Sequence, residues 1–164
     1  MLILGIDPGS IHTGFGIIKA DKNQLSAITY GAIHARGDTI AARLHDIYTR
    51  LSDIIAQYRP DEAAIETVFM KVNVQSALKL GQARGAALVA LAKYALPVSE
   101  YAARVVKKTA TGYGAADKTQ MQFMMRVQLK LTKTPEADAA DALAIALCHA
   151  QHSRAFSQTR LGVI

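Results

Sequence analysis

Cysteine is almost missing from this chain of 164 residues. Cys148 stands alone, so no intrachain disulfide can form, and neither a cysteine pair nor a histidine pair occurs at metal-ligand spacing. Its place on an apolar helical stretch marks it as a buried, inert thiol suited to a reducing cytoplasm. Tryptophan is absent. Long apolar runs are lacking too. The first begins at Leu2 without a positive leader and is broken at Asp7, which is not the form of a secretory signal. The most apolar later segment, Ala77 to Leu96, carries Lys79, Gln82, Arg84 and Lys93 and is not a membrane span. Acidic residues are in deficit, 13 against 19 Lys and Arg, for a net charge of +6. That balance favours a polyanionic partner over an acidic or neutral small molecule.

What remains suffices for one domain. A chain of this length buries about 68–70% of the surface its unfolded form exposes. Residues 1–150 read as that domain, and 151–164 read as a loosely held tail without periodicity. No internal repeat or low-complexity tract interrupts them.

The chain is organised around its opening. Leu2-Ile3-Leu4-Gly5-Ile6 is an apolar run that stops at Asp7 and a Pro8-Gly9 turn, then resumes through Thr13-Gly14-Phe15-Gly16-Ile17-Ile18. This predicts a hairpin with an acid where the first strand meets solvent. Gln24 to His34 predicts a third strand continuing the meander. From Thr39 to Gln57 the apolar positions Ile40, Leu44, Ile47, Leu51 and Ile54 recur at helical spacing, with Asp38 or Thr39 as cap. Glu62 to Val68 then supplies a strand returning beside the first, and a parallel pairing would bring Asp7 and Glu66 to one edge.

Asn73 to Leu96 predicts a helix in which Gly81 and Gly85 stand one turn apart. Each glycine costs a helix about 0.5–1 kcal/mol relative to Ala, so another element, of this chain or a second copy, is expected to pack closely there. Pro97 to Tyr101 predicts a short edge strand, and Ala102 to Thr109 is followed by a glycine-bearing loop and a helix from Asp117 or Lys118 to about Lys130. The bases Arg104, Lys107, Lys108 and Lys118 beside that loop suggest a phosphate-contacting ridge. In the last helix Thr134 is the expected cap and Pro135 the first helical position, which sets Asp138 and Asp141 in the first two turns on one face.

Four carboxylates in apolar settings select a hard, oxygen-seeking cation, Mg2+ or Mn2+ rather than zinc. Two such ions can activate water and stabilise the leaving oxygen of a phosphodiester, so a basic surface around an acidic centre is the pattern of a metal-dependent nuclease.

The segments Gly5-Ile6-Asp7-Pro8-Gly9-Ser10 with Thr13-Gly14, Ile65-Glu66 with Val68-Phe69-Met70, Ser76 to Gly85, and Ala137-Asp138-Ala139-Ala140-Asp141-Ala142 resemble the RuvC family of Holliday-junction resolvases. The resemblance runs in order from about Leu2 to Ala150. It implies an α/β, ribonuclease-H-like fold, a mixed five-stranded sheet with helices on both faces. It also implies a cytoplasmic homodimer making paired, symmetric, Mg2+-dependent nicks across four-way junction DNA in recombination and repair. By motif position, Asp7, Glu66, Asp138 and Asp141 would be the catalytic metal ligands, for two Mg2+ ions per subunit with Mn2+ able to substitute. Phe69 would act near the junction crossover, Lys107 and Lys118 near the scissile phosphate, and Arg84 as a further DNA contact. Family members work with the RuvA and RuvB branch-migration proteins and prefer to cut at thymine-rich sequences.

Other readings differ in what they need. A YqgF-type nuclease shares the Asp-x-Gly opening strand, but the Ser76 to Gly85 motif and the Asp138/Asp141 pair argue against it. A sugar-kinase or actin-like ATPase needs two lobes to close over nucleotide, and this chain supplies one. A junction-binding module without activity would bind but not cut in Mg2+.

Overall fold

The computed structural model describes residues 1–21, 24–67 and 73–161, with side chains as far as Ser153. Its elements are β1 (Leu2–Asp7), β2 (His12–Asp21), β3 (Gln24–His34), α1 (Ile40–Tyr58), β4 (Glu62–Glu66), α2 (Val74–Lys93), β5 (Val98–Tyr101), α3 (Ala103–Thr111), α4 (Lys118–Gln128) and α5 (Ala137–Leu161). The five strands form one sheet in the order β3-β2-β1-β4-β5. β1 runs antiparallel to β2 and parallel to β4, and β4 runs parallel to β5, so the sheet is mixed.

Alternation along the strands divides the core in two. Ile3, Ile18 and Ala64 join α3, α4 and α5 on one face, while Leu4, Ile6, Ile17, Ala63 and Ile65 join α1 and α2 on the other. Through its middle, Ala142 to Ala150, α5 is buried all round. Such a helix has no polar face to offer water and serves as the centre of its layer.

The helix ends follow local chemistry. Thr39 caps α1 by accepting from the Ala42 N–H at 3.2 Å, and Asn73 caps α2 by accepting from the Gln75 N–H at 2.9 Å. Asp117 and Gln120 form a reciprocal capping box at the start of α4, with bonds of 2.8 and 3.0 Å.

One expectation needs correction. α5 opens at Ala137, where the Ala140 N–H donates to the Glu136 carbonyl at 2.8 Å, and Thr134 does not cap it. The reason is tertiary: the Gln122 side-chain amide holds the Pro135 carbonyl at 2.9 Å and keeps that residue outside the helix. Of the two neighbours expected at Gly81 and Gly85, the described chain does not supply one, since a Cβ on either would find nothing within 4 Å, and a second copy is the alternative left. α5 carries on past Ala150 as far as Leu161. A helix already anchored by buried turns continues at little cost without an apolar stripe of its own.

Candidate active site

Asp7 and Glu66 are the last residues of adjacent parallel strands, one step beyond the Ile6–Ile65 pairing. Asp7 shares the parity of Ile3 and Gly5 on β1, and Glu66 that of Ala64 on β4. Both therefore face the layer containing α5. The turn after Asp7 is held by Thr13, whose hydroxyl donates to the Gly9 carbonyl at 2.8 Å and accepts from the Gly9 N–H at 3.3 Å.

The other two acids arrive with α5, and glycine sets how closely. Gly14, paired with Asp7 across the β1–β2 ladder, lies so near α5 that a Cβ there would run into the Asp138 carbonyl. The first turn of α5 therefore rests directly on the sheet backbone beside Asp7. Asp141 follows one turn later on the same face.

The acids feel one another. Asp7 is pushed up from 3.8 to about 8, first by burial, then by Asp141, Glu66 and Asp138, with Lys118 opposing. Glu66 is raised by burial and then by Asp141, against Lys107. Asp141 is raised by burial and by Asp138, against Lys118 and Lys107. Carboxylates from three chain segments thus share one desolvated neighbourhood, and two lysines face it.

Among the described residues, no three His, Cys, Asp or Glu side chains close into a set that could hold a metal ion as they stand. The four acids form an electrostatic cluster rather than a finished coordination shell. Their donor chemistry, oxygen only, fits a hard divalent ion.

The family model for the crossover junction endodeoxyribonuclease RuvC matches residues 3–149. The chain belongs to this family. A RuvC crossover junction endodeoxyribonuclease from Coxiella burnetii (strain Dugway 5J108-111) is 58% identical over 153 residues, covering 93% of this chain and 89% of the relative. One from Klebsiella pneumoniae subsp. pneumoniae is 53% identical, covering 99% and 95%. Among solved structures, Thermus thermophilus RuvC in complex with Holliday junction substrate matches with a TM-score of 0.88 at 32% identity, over 96% of this chain and 97% of that one. The fold is therefore the ribonuclease-H-like fold of RuvC structures. The yeast mitochondrial resolvase Ydc2 shares that fold at 12% identity, with a TM-score of 0.65.

In this RuvC-family chain the expected DNA-contacting residues divide into three groups. Lys107 on α3 and Lys118 at the start of α4 both bear on the acid cluster. Phe69 lies outside the described residues. Arg84 is held within the chain: it pairs with Glu100 at 2.6 Å, and its Nε–H donates to the Glu66 carbonyl at 3.2 Å. Glu100 and that carbonyl bond carried no sequence signal, because the contact joins α2 to the ends of two strands that only the fold brings together. The same holds for His149, which bonds Glu62 at 2.6 Å and the Tyr101 hydroxyl at 2.9 Å and fastens α5 to β4 and β5.

Proposed function

We propose that this chain resolves four-way DNA junctions as a cytoplasmic homodimer, making paired symmetric nicks with Mg2+ held among Asp7, Glu66, Asp138 and Asp141. Family membership carries the reaction class, endonucleolytic cutting of DNA at a crossover junction. The observation supporting the metal assignment is the mutual electrostatic influence of four carboxylates gathered from β1, β4 and α5. Such a cluster is costly to ionise without a cation. When bound, the cation supplies Lewis acidity for hydrolysis of the phosphodiester; two ions, with Mn2+ as substitute, suit four acids. Lys107 and Lys118 draw a DNA phosphate toward the acids and offset part of their charge. Phe69, three residues past Glu66 in the sequence, would act at the crossover.

Support for the homodimer comes from the outer face of α2. Val74, Leu78 and Val89 are 78%, 62% and 59% exposed, and Gly81 and Gly85 lie open between them. Their 4-3-4-4 spacing makes one apolar stripe with a small-residue centre, suited to close approach by a second copy. By family membership, RuvA and RuvB are the expected partners on DNA. Among the described residues, no helix is long and apolar enough to cross a membrane.

The test is incubation of an immobile junction, a matched linear duplex and a hairpin with protein and Mg2+, resolved on a denaturing gel. Symmetric cuts confined to the junction are expected. Asp7→Asn should lower cleavage roughly 100-fold or more while leaving junction binding intact. Undiminished cleavage by that variant would overturn the metal assignment.

A further inference from the structure

Arg84 carries more than the sequence suggested. On β4, the N–H groups of Ala63 and Thr67 donate to the Pro97 and Tyr101 carbonyls at 2.9 Å, so the odd-numbered residues address β5. Glu66, one step out of phase, turns its carbonyl toward β1. In a parallel ladder that carbonyl bonds the N–H of the residue following its partner. With Ile6 opposite Ile65, Asp7 stands opposite Glu66, and the donor due is residue 8. Residue 8 is proline and has no N–H. The carbonyl of a candidate metal ligand is thereby left without its ladder partner at the last rung of the sheet.

Arg84 fills the gap. Its Nε–H donates to the Glu66 carbonyl at 3.2 Å, while Nη2 is fixed by Glu100 at 2.6 Å. The arginine side chain is only 19% exposed. A planar guanidinium held at one end by a carboxylate presents its remaining N–H groups in a set direction. We infer that Arg84 is a positioning residue, substituting for the donor that Pro8 lacks and fixing the backbone from which the Glu66 side chain reaches the metal centre. This rests on the proposed role of Glu66 as a ligand.

The experiment is a double-mutant cycle on the full chain. Arg84→Ala is expected to slow single-turnover junction cleavage by about 10–100-fold. Junction affinity, measured without Mg2+ across a salt series, should stay within about twofold with its slope unchanged. In the metal-free protein, hydrogen-exchange protection of the Thr67 amide should fall, because the end of β4 loosens. Adding Pro8→Ala to Arg84→Ala restores an N–H at the missing rung and should recover cleavage by about tenfold relative to Arg84→Ala alone.

Loss of affinity parallel to loss of cleavage, with a salt slope lower by about 1, would make Arg84 a phosphate contact and overturn the inference. So would a double variant no faster than Arg84→Ala with unchanged Thr67 protection. Glu66→Gln separates the two readings: if it still cuts, the ligand assignment fails; if it is inactive while Arg84→Ala is fully active, only the positioning role fails. Should Arg84→Ala not fold, Arg84→Gln serves in the same comparisons.

Discussion

Asp7 is the residue on which the charge balance of the centre turns. An ordinary aspartate has a pKa of 3.8, and the folded chain holds this one near 8. Between those values the folded, metal-free protein retains a proton that the unfolded chain has released. The stability that proton confers is complete below about pH 4 and is lost as pH rises through about 8. Thermal unfolding of metal-free protein should therefore show a falling Tm between about pH 5 and pH 9. Asp7→Asn, unable to ionise, should flatten that fall and gain on the order of 2 kcal/mol at the alkaline end. Mg2+ added to the unmodified chain near pH 8 should raise its Tm, since an ion that binds only the folded state stabilises it. Identical pH slopes for the two proteins would show that Asp7 does not carry the strain.

At the scale of elements, much was legible beforehand because the signals were local. The Asp-Pro-Gly turn marked where β1 stops, Thr39 and Asp117 marked the starts of α1 and α4, and the parallel return of β4 followed from strand, helix, strand. The start of α5 was misread because Thr134 and Pro135 look like a cap and first turn, while a side chain 13 residues away takes the Pro135 carbonyl. The contact of Arg84 with Glu100 was hidden for a similar reason, as nothing adjacent in the chain announces it. Gly14 was visible only as part of a motif; its reason is the backbone of α5 lying against it. Gly14→Ala should accordingly cost about 1–3 kcal/mol in denaturant unfolding, since helix or strand must shift to admit the methyl group. Cleavage should fall further than stability, because the displaced turn carries Asp138. A variant with both properties intact would contradict the close contact.

At the scale of the whole molecule, the proposed homodimer would set two centres on one junction. If α2 supplies the contact between copies, Leu78→Lys should yield monomers by sedimentation at micromolar concentration, with the fold retained by circular dichroism. Paired symmetric nicking should then decay to single, uncoordinated cuts. Monomers that still cut in pairs would place the contact elsewhere.

α5 is fastened at its start by the seat Gly14 gives its first turn and at mid-length by His149 gripping Glu62 and Tyr101. The half of the helix between those two holds is the half that carries Asp138 and Asp141. If a crossover docks against these acids, it meets a gauge held from two sides, and the distortion that seats both strands falls on the nucleic acid.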